Sequence, residues 1–263
     1  MTGEQIKSAI IQKLIETKER HHVKIPLAVE SGSRGWGFAS PDSDYDCRFV
    51  YVHEMDWYLS VFDKPDVIEY AAGQVFDING WDLKKFIAHI VKSNAVMLEW
   101  LSSNEVYLND TSITSLLVKL GKEFFNPITV NHHYLSMAVK KYAEINSSEK
   151  SKLKHYFYVL RPLANISYIE KYGKMPYMEY YRTIGEIDLD ENVKEEISRI
   201  SKVKETSDEG YTMARNETLL RYFADEIKRQ DKRLPNVRFE KNRDYEYADV
   251  VFRTIIEMTW RNA

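Results

Sequence analysis

Cysteine is almost absent from this 263-residue chain: Cys47 stands alone. No internal disulfide can form, and a reducing compartment, the cytoplasm, is expected. Long apolar runs are missing too, none approaching the roughly 18 residues that cross a bilayer. The opening MTGEQIKSAIIQKLIETKER is a mixed-charge amphipathic helix pattern, not a signal peptide, so no membrane partner is expected. There is no strong excess of either charge: 37 Lys and Arg against 40 Asp and Glu leave −3, which argues against a generally basic nucleic-acid coat. The sequence has no G-x-x-x-x-G-K-[ST], which excludes a P-loop. It also has no internal repeat, no low-complexity segment and no Gly/Ser linker.

What is present is ordinary in bulk, with 44% hydrophobic and 29% charged residues, and the length allows a sizeable core. Charge is uneven along the chain. Residues 1–110 hold 11 Lys/Arg against 17 Asp/Glu, residues 111–182 hold 11 against 5, and the remainder 15 against 18. An acidic segment is followed by a basic one, either as two solvated surfaces or as a metal-binding part joined to a polyphosphate-gripping part.

The first helix pattern ends near His21 and His22, and IPLAV (25–29) is a short apolar β run. Ser40-Pro41-Asp42-Ser43 is turn chemistry, and Cys47–Val52 reads as a strand. VIEY (67–70) and QVFDI (74–78) flank Ala71-Ala72-Gly73 as a hairpin. From Trp81 the pattern is helical over 82–94 and 95–103, with a short strand at EVYL (105–108). Asn126-Pro127 opens another helix, Lys150 to Tyr172 reads as a long aromatic-rich one, and Gly173 to Pro176 breaks it. DENVKEEISRISKVKE and EGYTMARNETLLRYFADEIKRQ are helical, followed by a polar stretch and a last short helix. The expectation is an α+β fold: a mixed catalytic domain over 1–115 and an all-helical domain over 116–263, packed closely, with the site in the cleft between them.

The stretch Ser31 to Val52 reads SGSRGWGFASPDSDYDCRFVYV. Asp44 and Asp46, two residues apart at a strand entrance, project from one face, while Tyr45 and Cys47 point the other way. Two carboxylates at this spacing repel unless a hard divalent cation neutralises them, and magnesium suits one or two carboxylates with waters and substrate phosphates. The Gly32-Ser33 turn supplies a close backbone approach, N–H groups and a hydroxyl for phosphate, with a short helix running from Arg34. A nucleoside triphosphate fits both halves. A third carboxylate would complete a two-metal site and orient the attacking hydroxyl. Asp77, within VFDI, is placed there by an expected antiparallel neighbour strand. Asp82 is the alternative and more naturally caps the following helix.

With these residues the segment resembles the signature of the DNA polymerase β-type nucleotidyltransferase superfamily. ESGSRGWGFASPDSDYDCRFVYV, DINGWDLKKF, KHYFYVLRPL and MPYMEY are similar, more closely, to the YcgL-type family, also called RNA-ligase-associated nucleotidyltransferases. The resemblance implies a polymerase β-like core, a triphosphate turn at Gly32 and Ser33, two Mg²⁺ ions (Mn²⁺ as a substitute) on Asp44 and Asp46, and Asp77 at the catalytic metal. It implies nucleotidyl transfer from an NTP with release of pyrophosphate, an RNA 3′ end as acceptor in repair or tailing, and an RNA ligase as associate. A small-molecule hydroxyl, a protein hydroxyl, or a non-catalytic nucleotide-binding role stay open beside it.

Lys154, His155, Tyr158 and Arg161 lie at near-helical spacing. Either they form a hydrated basic side with an aromatic core side, or Lys154 and Arg161 reach the triphosphate with help from Lys140 and Lys141 while Tyr158 stacks on a base. Arg34 either touches the γ-phosphate or pairs with an acidic neighbour, and Arg48 steadies a carboxylate or only a surface. His132 and His133 are adjacent, which suits structural roles better than a metal pair. Cys47 is read as a small core side chain, and Trp81 and Trp100 as core.

Overall fold

The computed structural model describes residues 2–70 and 76–261. Contacts divide the chain into two units, the first built from Met1–Gly35, Asp44–Phe125 and Lys241–Ala263, the second from Trp36–Ser43 and Asn126–Glu240. In chain order the elements are α1 (Gly3–His21), β1 (Lys24–Ser31), α2 (Gly32–Trp36), β2 (Tyr45–Val52), α3 (Met55–Tyr58), β3 (Val67–Tyr70), β4 (Phe76–Asp82), α4 (Leu83–Val91), α5 (Ala95–Trp100), β5 (Val106–Asn109) and α6 (Thr111–Glu123). There follow α7 (Pro127–Asn146), β6 (Lys150–Lys152), α8 (Leu153–Tyr172), α9 (Tyr180–Glu186), α10 (Glu191–Thr206), β7 (Thr212–Ala214), α11 (Glu217–Arg233) and α12 (Tyr245–Trp260).

The first unit is a mixed sheet covered on both faces. Its strand order is β3-β4-β2-β1-β5, with β2 and β4 parallel and the other neighbours antiparallel. Strand β1 is buried over six consecutive residues, Ile25 to Glu30, because successive side chains feed opposite cores. Ile25 and Ala28 join Ile6, Ile10 and Leu14 of α1, with Cys47, Phe49 and Tyr51 of β2. Leu27 and Val29 join the other core, where Val50 and Val52 meet Leu83, Phe86 and Ile90 of α4, Leu117 of α6, and Val251 and Ile255 of α12. Each large apolar side chain removed from water contributes about 1.5–3 kcal/mol.

Helix α6 and the C-terminal α12 therefore lie in the first unit, whereas the sequence reading placed everything after 115 in the helical domain. An amphipathic pattern says that a helix buries one face, not which core receives it. Residues 36–43, expected in the catalytic domain, belong to the second unit.

Other differences are local. VIEY and residues 76–78 do pair antiparallel, Tyr70 opposite Ile78, while the proposed turn at 71–73 lies outside the described residues. Strand β4, however, runs parallel to β2, not antiparallel as expected. The 23 residues between them carry α3 and β3, which gives room for the crossover that a parallel pair requires. Lys150–Lys152 form a strand paired with Thr212–Ala214, so α8 begins at Leu153 and α11 at Glu217. Asn216 caps α11 by accepting from the Leu219 N–H at 3.0 Å.

In the second unit α8 is the central helix. It is apolar nearly all round, with Tyr156, Phe157, Val159, Leu160 and Leu163 buried, and it packs against α7, α9, α10 and α11. The turn at Ser40–Ser43 is held by a buried charge. Lys204 of α10 donates to Ser40 Oγ at 2.5 Å and to Glu209 Oε1 at 3.1 Å, the Ser43 hydroxyl donates to Glu209 at 2.5 Å, and the Glu209 N–H donates to Asp42 at 2.9 Å. No described helix is long and apolar enough to cross a membrane.

Candidate active site

Sheet register aligns the carboxylates. Ser31 at the end of β1 sits opposite Asp46 of β2, and Asp46 sits beside Asp77 of the parallel strand β4. Asp44 precedes β2 by one residue and is exposed. Arg48, two residues beyond Asp46 and so on the same face, reaches both neighbours: its Nη2 donates to Asp46 Oδ1 at 3.2 Å and to Asp77 Oδ2 at 2.8 Å. One guanidinium nitrogen thus ties two carboxylates. Asp82 stands apart from this group, buried at the N-cap of α4, where it accepts from the Lys84 N–H at 2.8 Å and the Tyr58 hydroxyl at 2.9 Å. Burial pushes its carboxyl up to about 6.

The glycine turn closes on the same group. Gly32 has φ +66°, and a Cβ there would fall inside the van der Waals surface of Asp46 Oδ2. Only glycine combines this left-handed backbone with so close a neighbour. Helix α2 starts at Gly32 itself, two residues earlier than expected, and carries the half-buried Ser33. Arg34 folds back, donating from Nε to the Asp44 carbonyl at 3.2 Å with its guanidinium 3.9 Å from the Tyr45 ring centroid.

Beneath the carboxylates lies a residue that the sequence reading did not single out. Glu30 is 2% exposed, accepts the Asp46 backbone N–H at 2.8 Å through Oε1, and accepts the Tyr107 hydroxyl through Oε2. Burial raises its carboxyl to about 7, against the lowering effect of the Tyr107 hydrogen bond. The signal was a lone acid at the end of an otherwise apolar strand, since a buried carboxylate must find donors.

Burial raises the Asp46 carboxyl above its ordinary range; Arg48 opposes this, and Asp77 and Asp44 add to it. All three carboxylates thus act on one another at Asp46. Among the described residues there is no group of three or more His, Cys, Asp or Glu side chains that could hold a metal ion, Asp44, Asp46 and Asp77 included. Magnesium does not require one, because one or two carboxylates suffice when waters and substrate phosphates complete the shell. The hard oxygen donors and the mutual repulsion at Asp46 fit such an ion, with Arg48 supplying the counter-charge between Asp46 and Asp77.

The remaining candidates lie in the second unit. Lys154 is paired with Glu209 Oε2 at 2.7 Å. Tyr158 and Arg161 instead line one cavity of about 390 Å³ together with Trp36 and Lys140. Cys47 is fully buried, as expected of a core side chain, and burial pushes its thiol well up.

Residues 6–254 match the profile of the RNA repair pathway DNA polymerase beta family. An uncharacterized protein, YcgL, of Bacillus subtilis (strain 168) is 35% identical over 257 residues, covering 98% of this chain and 99% of that protein. Among solved structures, a nucleotidyltransferase-like protein from Exiguobacterium sibiricum is 12% identical, with 95% of this chain and 88% of that one covered at a TM-score of 0.33. A profile match over nearly the whole length and a relative of equal length agree: the chain belongs to the RNA repair pathway DNA polymerase beta family.

Proposed function

We propose that the protein transfers a nucleoside monophosphate from an NTP to the 3′ hydroxyl of an RNA, releasing pyrophosphate, with Mg²⁺ held by Asp44, Asp46 and Asp77. The observation that carries this reading is the meeting of Gly32 with Asp46, and of Asp46 with Asp77, at one end of the sheet. Bound magnesium would lower the pKa of the incoming hydroxyl and stabilise charge on the phosphoryl oxygens.

The chain's own groups do the positioning. Gly32 lets a phosphate approach the backbone beside Asp46, and Ser33 offers a hydroxyl donor at the same turn. Asp77 would accept or orient the hydroxyl proton of the acceptor, a role that its register position beside Asp46 supports. Arg48 keeps Asp46 and Asp77 from repelling one another before substrate arrives. Glu30 holds the Asp46 backbone from below, which limits how far that carboxylate can stray. Arg34 is engaged with Asp44 and Tyr45, and it supports the strand entrance in this arrangement.

The test is transfer of label from each α-labelled NTP to a short RNA with a free 3′ hydroxyl in Mg²⁺, beside Asp46→Asn. Labelled RNA that disappears in the variant is the expected result. Label on a protein or small-molecule hydroxyl alone would move the acceptor, and label undiminished by Asp46→Asn would remove the proposed site.

A further inference from the structure

The second unit contains a cavity of about 390 Å³ formed by α7, α8 and the 36–43 segment. Three of its walls are aromatic. Trp36 and Tyr158 meet edge to face at 6.1 Å, and Phe38 lies 6.2 Å from Tyr158. Cations close the rest: Lys140, Lys141 and Arg161 line it, with the Arg161 guanidinium 4.3 Å from the Trp36 ring centroid. The single lining carboxylate, Glu144, is paired with Lys141 at 2.6 Å, so Lys140 and Arg161 carry the net positive charge. The Trp36 indole N–H is buried and has no acceptor among the described residues.

This chemistry selects a planar, anionic ligand. A purely apolar guest would leave the cations without purpose, a cationic one would be repelled, and no metal cage exists among the described residues. A nucleobase with its phosphate meets both demands, with a ring face for the aromatic walls and an oxyanion for the lysines. No glycine lines the pocket itself, although Trp36 ends the helix that begins at Gly32, and its one carboxylate is already paired. Its walls also carry few groups able to read a base edge, which suits sequence-tolerant stacking of a single-stranded chain. Exposed Lys150 and Lys152 on β6, just ahead of α8, extend the positive surface along which a phosphate backbone would run.

We propose that this cavity holds an unpaired base of an RNA strand, as an acceptor-binding site. The proposal rests on RNA being the acceptor, but it concerns binding alone.

The experiment measures binding of a fluorescent single-stranded oligoribonucleotide to the full chain without NTP or divalent metal. Trp36→Leu removes a stacking face, and Met137→Glu places a negative charge on the partly exposed α7 wall. Each should weaken RNA binding about ten-fold, the scale of one lost base stack, with ATP affinity measured separately remaining within about two-fold. An RNA with abasic sites should bind the parent about as weakly as the intact RNA binds Trp36→Leu. RNA affinity unchanged in both folded variants would overturn the proposal. So would a loss of ATP binding in place of RNA binding, which would assign the cavity to the donor base. Because no transfer is scored, labelled RNA in the Asp46→Asn comparison with unchanged binding in these variants would sink only the cavity.

Discussion

Gly32 lies so close to Asp46 that the glycine has no room for a side chain, although they are fourteen positions apart in sequence. The chain contains an internal control for this contact. Gly173, the cap of α8, has nearly the same φ, +65° against +66°, yet a Cβ there would meet nothing within 4 Å.

Gly173→Ala should therefore cost only the left-handed backbone penalty, about 1–2 kcal/mol. Gly32→Ala should cost more, because the Asp46 carboxylate must also move, and nucleotidyl transfer should fall by at least about 100-fold. Chemical denaturation of both variants beside the labelled-NTP assay reads the difference. Equal stability losses and equal activities would mean that the contact at Asp46 is without consequence.

Arg48→Met should release Asp46 and Asp77 from their shared counter-charge. Both carboxylates are partly solvated, so the loss at neutral pH without divalent metal should be about 1 kcal/mol. Added Mg²⁺ should then raise the melting temperature of the variant more than that of the parent, because the ion no longer competes with a guanidinium. Equal shifts would show that the ion binds elsewhere.

Much of this end of the sheet was legible in the sequence. Gly32, Asp44 and Asp46 are close in the chain, and their meaning depends on period-two alternation and turn chemistry, which are local. The parallel pairing of β4 with β2 was not legible, since alternation fixes the face of Asp77 but not the direction of its neighbour. Lys154 looked like a cation in search of phosphate because its partner, Glu209, lies 55 residues away with no pattern linking them. Glu30 left a trace in its strand, but Tyr107, the donor that completes its environment, sits on the edge strand β5.

Glu30→Ala strands the Asp46 N–H and the Tyr107 hydroxyl in a buried place, and should cost about 2 kcal/mol by urea unfolding at pH 7. Glu30→Gln retains an acceptor oxygen and should recover more than half of that loss. If the two substitutions are equally damaging, the buried charge matters and the hydrogen-bond geometry does not.

Burial pushes the Glu209 carboxyl up, but hydrogen bonds from Lys154, Ser43 and Lys204 outweigh it and hold it at about 2, below its ordinary 4.5. A carboxyl lowered on folding stabilises the protein above its unfolded value, and that stability is lost as pH falls from 4.5 through about 2. The amount at neutral pH is on the order of 3 kcal/mol. Unfolding midpoints measured between pH 2 and 5 should fall steeply in the parent and less steeply in Glu209→Gln. Parallel slopes would assign the acid sensitivity to other carboxylates.

Helix α12 gives the first unit a particular order of manufacture. Ala248, Val251, Ile255 and Ile256 share a core with Leu83, Phe86, Leu117 and Leu120, yet residues 126–240, all of the second unit except its 36–43 segment, are translated between the two sets. On the ribosome the sheet must wait with one seam of its core uncovered until the chain has passed residue 256. A premature stop just before Tyr245 would spare Gly32, Asp44, Asp46 and Asp77, and would still leave the first unit without one wall of its interior.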